Sequence, residues 1–218
     1  MNRSNVYRYL RTLVDTCWLE YDEESRKFRI GAKPIQIAGA SLQQLDLRTI
    51  ARPFLEDLAE KTGLAVHLGV LDYSSIVYID KVESNSPIQM RSRIGMTAPV
   101  YCTAMGKVLL STLSLSNIKN LIGDDLPRRT SNTITSFNKL LEDINRIREN
   151  GYSIDLEENE VGIGCVASGI FGYDDEMIGA VSISTLIQNL TPNIEKFSAY
   201  VMRCSNQISQ SMGYSHKY

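Results

Sequence analysis

Histidine is nearly absent from this chain, with only His67 and His216 among 218 residues. One falls in a strand-like run and the other in the tail, each read as structural or solvated, so neither Cys165 nor any serine has an evident general base. Cysteine is scarce as well. Cys17, Cys102, Cys165 and Cys204 are dispersed without C-x-x-C spacing, which points to buried or pocket-lining thiols rather than disulfides or zinc ligands. No apolar run approaches the ~20 residues needed to cross a bilayer, and residues 1–10 hold no apolar signal-peptide core, so a cytoplasmic protein without a membrane partner is expected. Repeats and low-complexity tracts are missing too. Without an acid/base, metal or cofactor constellation, the expectation is a protein that is not an enzyme and carries no cofactor.

What remains is an ordinary globular composition, 43% hydrophobic and 22% charged, enough for one good core plus a small module. The charge is unevenly placed. Residues 1–33 hold seven Lys/Arg against five Asp/Glu, net +2, and the remainder 16 against 20, net −4. Within residues 1–14, Arg3, Arg8 and Arg11 face no acid. Such a patch is more often a solvated helix face, unless it coincides with a nucleic-acid motif.

The chain divides near residues 31–34. Before it, Val6, Leu10, Leu13 and Val14 recur on one helical face, and strand-like runs at 18–21 and 27–30 flank a turn-rich segment, a hairpin. A linker helix is expected over 34–45, followed by a second helix over 47–62 closed by Gly63. The larger part predicts strands at 64–71, 76–82 and 88–94, helices at 104–113 and 136–150, strands at 152–156, 164–171 and 177–186, and a terminal helix over 192–212. This order gives an α+β class, an antiparallel sheet with helices packed on one face.

The segment RIGMTAPVYCTAMGKVLLS, 93–111, runs from a proline-bounded small-residue loop into a helix. The first backbone amides of that helix, around Ala104, Met105 and Gly106, would form its anion-attracting end. Ser182 and Ser184 share one strand face with Ala180, a pattern that by itself reads rather as an exposed sheet face. Asp155, beside Glu157, Glu158 and Glu160, reads as a charged strand end, and Cys165 alone as a core thiol. Gly162-Ile163-Gly164 with Ala167 imitates a dinucleotide-binding fingerprint but precedes a strand rather than opening a helix. The S-x-x-K matches at 116–119 and 136–139 lack their companion elements.

Taken together, RIGMTAPVYCTAMGKVLLS, GYSIDLEENEVGIGCVASGIF and AVSIS resemble the effector-binding domain of IclR-type bacterial transcriptional regulators. RSNVYRYLRTLVDTCWLEYDEESRKFRIG is similar to the second half of that family's winged helix-turn-helix. The resemblance covers essentially the whole chain, and VHLGVLDYSSIVYIDKVES with ISQSMGY looks like the subgroup that regulates ketodeoxygluconate catabolism. It implies a GAF-like (profilin-like) effector domain over 47–218, a linker helix over 34–46, and a partial winged helix-turn-helix over 1–33, N-terminally truncated because the helices preceding the recognition helix are missing from this sequence. Effector contacts are implied at Met90 and Ala98 as an apolar wall, Ala104 and Met105 as loop and helix amides, and Asp155, Cys165, Ser182 and Ser184 as polar groups. DNA contacts are implied at Arg3, Ser4, Asn5, Tyr7 and Arg8 on the recognition helix, with Arg26 and Lys27 at the wing tip.

The expected function is a ligand-responsive regulator, a homodimer or homotetramer on operator DNA, whose larger domain binds a sugar-acid or short keto-acid effector. The alternative is a metabolite-binding and oligomerising module without independent DNA binding.

Overall fold

The computed structural model describes residues 3–37, 46–83, 90–123 and 125–215, and the chain divides into two compact units, Met1–Thr49 and Ile50–Tyr218. In the first, helix α1 (Arg3–Asp15) half-buries Val6, Leu10 and Val14 along one stripe. It stops where Cys17 takes left-handed backbone with φ 59°. That turn lets the Cys17 and Trp18 amides donate back to the Val14 and Leu13 carbonyls at 3.0 and 2.8 Å, satisfying carbonyls the helix end leaves open. Strands β1 (Leu19–Asp22) and β2 (Lys27–Ile30) pair antiparallel. Asp22 Oδ1 accepts the Glu24 and Ser25 amides at 2.9 and 3.1 Å and holds the turn between them. Of the linker helix expected over 34–45, residues 33–37 are helical and residues 38–45 lie outside the described residues.

The second unit is built on a six-stranded antiparallel sheet. After α2 (Asp46–Thr62) come β3 (Ala65–Asp72), β4 (Ser75–Val82), β5 (Thr97–Pro99), a 3₁₀ turn at Val100–Cys102, α3 (Ala104–Leu110), α4 (Leu115–Ile122), α5 (Phe137–Asn150), β6 (Ser153–Leu156), β7 (Ile163–Phe171), β8 (Met177–Leu186), the short α6 (Ile187–Leu190) and α7 (Ile194–Ser211). The strand order is β5-β4-β3-β8-β7-β6, so β8 crosses over to lie beside β3.

Three expectations are corrected here. The strand expected over 88–94 is not found: residues 84–89 lie outside the described residues, and 90–94 are irregular. A turn at 93–96, with Gly95 at φ 85° and the Met96 amide on the Arg93 carbonyl at 3.0 Å, ends that stretch and starts the edge strand β5 instead. Helix α3 stops three residues short of the expected 113: its end tightens into turns, with the Ser111 and Leu113 amides on the Val108 and Leu110 carbonyls at 3.1 Å, and Arg148 takes up the Ser111 and Leu113 carbonyls at 2.7 and 2.8 Å. Helix α4, not expected from the sequence, is capped by Ser114 Oγ accepting the Asn117 amide at 3.2 Å, yet fully buries only Ile118.

Helices cover both faces of the sheet, not one. Ala167 and Ala180 face the cluster of Met105, Val108, Leu109 and Leu140 from α3 and α5. The next residue, Ser168, points the other way, where Ser205 Oγ of α7 donates to its Oγ at 2.9 Å. Beside α7 lies α2, whose Phe54 carbonyl accepts the Cys204 thiol at 3.6 Å.

Every residue of α3 is buried, and a helix apolar nearly all round needs close neighbours on all sides. Gly106 provides one such approach. A methyl group there would overlap the Cα and carbonyl of Val100. We expect Gly106→Ala to cost about 3 kcal/mol by forcing α3 off the 3₁₀ turn. Urea unfolding checks this, and a loss within experimental error of zero would show that α3 has room to move.

Candidate functional site

Strand alternation and register bring a set of small polar groups to the α3 side of the sheet. Ser184 on β8 lies opposite Cys165 on β7, and Cys165 lies opposite Asp155 on β6. On the other side of β8, His67 of β3 lies opposite Ser182. Partners in an antiparallel ladder project to the same face, so Asp155, Cys165, Ser184 and His67 floor one cavity of about 520 Å³. Cys165 Sγ is 3.1 Å from Ser184 Oγ, which is 3.5 Å from His67 Nδ1, and His67 Nε2 is 2.7 Å from Ser92 Oγ. Lys81 Nζ donates to the Met90 and Ser92 carbonyls at 3.0 and 2.8 Å, pinning the wall that Ser92 belongs to. Tyr78, tilted against His67 with ring centroids 5.3 Å apart, completes that side.

Burial sets the charge state of this floor. His67, 2% exposed, is pulled by burial, with Lys81 adding to the effect, down to about 3. It is therefore neutral, offering one ring N–H and one lone pair to its two serine neighbours. Asp155, 3% exposed, is pushed by burial and then by Glu158 up to about 7. Its Oδ1 accepts the Glu158 amide at 2.7 Å, a local turn that leads the chain past Glu157, held left-handed at φ 62°. Burial likewise pushes the Cys165 thiol up, so it is a protonated group rather than a nucleophile.

The loop after β6 is anchored from behind. Glu158 is buried, not a member of a charged strand end, and pairs with Lys107 of α3, which also reaches Asp143 of α5 at 2.7 Å. Burial pulls the Lys107 ammonium down, but Glu158 and Asp143 outweigh it and hold it above its usual range. Residues 130–133 brace the same loop. Thr130 Oγ1 donates to the Glu157 carbonyl at 2.6 Å, Thr133 Oγ1 to the Glu158 carbonyl at 2.7 Å, and Asn132 Nδ2 to the Leu156 carbonyl at 3.1 Å.

Of the eight expected effector contacts, the cavity brings together Met90, Ala98, Asp155, Cys165 and Ser184. Ser182 is buried on the same strand face, at 3% exposure, but is not in the cavity wall. Its burial rules out the exposed-sheet reading. Ala104 and Met105 pack into the core cluster instead of the cavity. The Gly106 amide is taken by Thr103 Oγ1 at 3.2 Å, so the start of α3 is capped by its own chain. Sequence reasoning missed His67, Tyr78, Ser92, Arg129, Asn159 and Glu160 in the lining. Nearness to Asp155 was a usable signal for Asn159 and Glu160. Arg129 had none, since residues 125–136 are irregular.

In the first unit, Arg3 and Ser4 open α1, though their side chains lie outside the described residues. Asn5, Tyr7 and Arg8 are exposed on the same helix. Arg26, at φ 52°, is the last residue of the hairpin turn, and Lys27 begins β2, both exposed. A helix and a hairpin tip thus present cations to solvent. Among the described residues no cluster of His, Cys, Asp and Glu suits a metal ion, and no helix is long and apolar enough to cross a membrane.

Comparison with known proteins places these features in a lineage. The C-terminal domain of the bacterial transcriptional regulator IclR matches residues 39–210. The HTH-type transcriptional regulator KdgR of Escherichia coli (strain K12) is 36% identical over 220 residues, spanning 100% of this chain and 83% of the relative. The crystal structure of the Thermotoga maritima IclR superposes with a TM-score of 0.81 at 35% identity, covering 98% of this chain and 87% of that one. The crystal structure of the C-terminal domain of the E. coli regulator KdgR gives 0.71 at 35% identity, covering 78% of this chain and all of that one.

The two buried titratable groups of the cavity act on stability in opposite senses. Folded Asp155 keeps a proton up to about 7 that the unfolded chain has released above its ordinary value of 3.8, so its contribution falls as pH rises between them. Folded His67 stays neutral down to about 3, whereas the unfolded chain takes up a proton below 6.5, so its contribution falls as pH drops. Between 3.8 and 6.5 the slopes oppose each other. In Asp155→Asn only the His67 slope is left, and stability should depend on pH more steeply than in the wild type by about 1.4 kcal/mol per pH unit. Urea unfolding at pH 4.5, 5.5 and 6.5 measures this. Parallel profiles for the two proteins would mean that Asp155 is already ionised in the fold.

Proposed function

The chain belongs to the IclR family of bacterial transcriptional regulators, and from that premise we propose that its second unit binds a small oxygenated organic acid, a sugar acid or keto acid, and thereby controls binding to operator DNA. The observation that carries this reading is the cavity floor: neutral His67, Ser184, Cys165 and a half-protonated Asp155 together supply donors and acceptors matched to hydroxyl and keto oxygens. A site built of hydrogen-bonding groups discriminates well, because each buried group left unpaired by a wrong ligand costs about 1–3 kcal/mol. The sugar-acid class agrees with the 36% identity to KdgR.

The domain roles follow the same reading. Residues 1–33 act as the recognition helix and wing of a winged helix-turn-helix, with Arg3, Ser4 and Asn5 toward base edges and Tyr7, Arg8, Arg26 and Lys27 on phosphates. Residues 34–46 are the linker, and residues 47–218 bind effector and oligomerise as a dimer or tetramer. Occupancy of the cavity shifts the population of DNA-competent arrangements, and by linkage DNA shifts effector affinity by the same factor. Its relatives are transcriptional regulators, consistent with binding rather than turnover.

Calorimetric titration with pyruvate, D-glycerate, D-gluconate and 2-keto-D-gluconate should find a ligand. Asp155→Ala should weaken it roughly tenfold, the equivalent of one buried hydrogen bond, while Glu149→Ala, exposed at the end of α5, should not change it. A ligand that binds equally well to both variants would place the effector elsewhere. One that binds the cavity yet leaves DNA retention in a mobility-shift assay unchanged would end the regulatory part of the proposal.

A further inference from the structure

The cavity is electrically divided. Its floor, made by His67, Asp155, Cys165 and Ser184, is buried or half-buried, and two of its walls end at the exposed cations Arg91 and Arg129. An acid lying in it has two orientations. With its carboxylate inward it meets Asp155, backed by Glu158, while the two buried cations nearby are already committed, Lys107 to Glu158 and Asp143, and Lys81 to Glu83 and the Met90 and Ser92 carbonyls. The start of α3 offers little relief, because Thr103 caps Gly106 and the cavity wall includes neither Ala104 nor Met105. With its carboxylate outward, the acid meets guanidinium groups, and its hydroxyls reach the hydrogen-bonding groups of the floor, with the partly ionised Asp155 accepting from them.

Of the two arginines, Arg129 is the better placed. Its main chain is fixed, since its amide donates to Thr133 Oγ1 at 3.0 Å, within the same brace that ties residues 130–133 to the loop carrying Glu157 and Glu158. Its guanidinium makes one long contact, Nε to the Asn159 carbonyl at 3.4 Å, and no carboxylate pairs with it among the described residues. Its terminal nitrogens are thus available on a rigid mount, the arrangement suited to a two-pronged grip on a carboxylate. Exposed Glu160 on the same rim repels an acid that is not aligned with that grip.

We infer that Arg129 is the specificity-determining residue of the cavity: it holds the effector's carboxylate at the rim, so the ligand binds acid end outward and polyol or keto end inward. The inference rests on the acid-effector reading above and adds the direction in which the ligand lies. It also sets a length requirement. A hydroxy acid of several carbons spans from rim to floor, and a two-carbon acid gripped at Arg129 leaves the floor unengaged.

The test titrates the full chain with D-gluconate, 2-keto-D-gluconate and pyruvate, and with D-glucitol as a neutral polyol of matching length. The wild type should bind a sugar acid at least tenfold more tightly than D-glucitol. Arg129→Gln should lose about that factor for the acid, and Arg129→Lys should lose less, because charge survives without the fork. Thermal unfolding of both variants separates lost contact from a lost fold: an unfolded Arg129→Gln shifts the decision to the Arg129→Lys affinity, where an undiminished value overturns the inference. A wild type that binds an acid which Arg129→Gln binds equally well also overturns it while leaving the acid-effector reading intact, as does a loss seen in Arg91→Gln instead. Absence of binding by any of the acids removes both.

Discussion

The cavity depends on one buried ammonium group. Lys107 is 1% exposed in a helix whose other residues are all small or apolar, and its pairs with Glu158 and Asp143 are what make its burial tolerable. An isolated charge in such a place would be driven neutral or expelled. Because the three groups come from α3, from α5 and from the loop after β6, satisfying the charge fixes those three elements against one another. Removing one partner of such a network typically costs about 3–5 kcal/mol, much more than the net worth of the pairs. The ionic cluster therefore specifies an arrangement more than it stabilises one.

That arrangement determines the chemistry of the site. Holding Glu158 inward brings its amide onto Asp155 and sets a second carboxyl behind the first, which, after burial itself, pushes Asp155 to about 7. A group poised there gives or accepts a hydrogen bond at little electrostatic cost, which suits the recognition of hydroxyl and keto oxygens. The same burial makes Cys165 and His67 poor catalysts: the thiol stays protonated and the imidazole neutral. A floor of this kind presents hydrogen-bonding groups rather than an activated nucleophile or a charged base.

Much of the fold was legible in the residues. Period-two runs located β3, β4, β6, β7 and β8 nearly to their ends, and Asn150-Gly151 marked the end of α5, where Gly151 takes φ 76°. Local chemistry failed where tertiary contacts overrode it. Gly95 began a turn where β-branched neighbours suggested a strand, and the carbonyls after α3 are taken by Arg148, 37 residues away from Ser111, rather than by further helix. Helix α4 has a legible serine cap but little apolar surface to announce it. In the site, Met90, Ala98, Asp155, Cys165 and Ser184 were named from sequence and line the cavity, whereas Ala104 and Met105 were named and sit in the core.

The sequence by itself determined the strand faces and the scarcity of reactive groups, because side-chain alternation and residue inventory are properties of the chain that no partner can change. It therefore placed Ser182 and Ser184 on one face before any neighbour was known. Only the tertiary structure decided which strand lies beside β8. That crossover sets His67 against Ser182 and Ser184 and makes a buried face of what alternation alone reads as an exposed one, while a separate long-range contact, between the irregular segment of Arg129 and the loop after β6, supplies another wall. Strand order is the outcome of competition among long-range pairings, whose loop-closure cost and burial gain are set by the whole chain and leave no local mark.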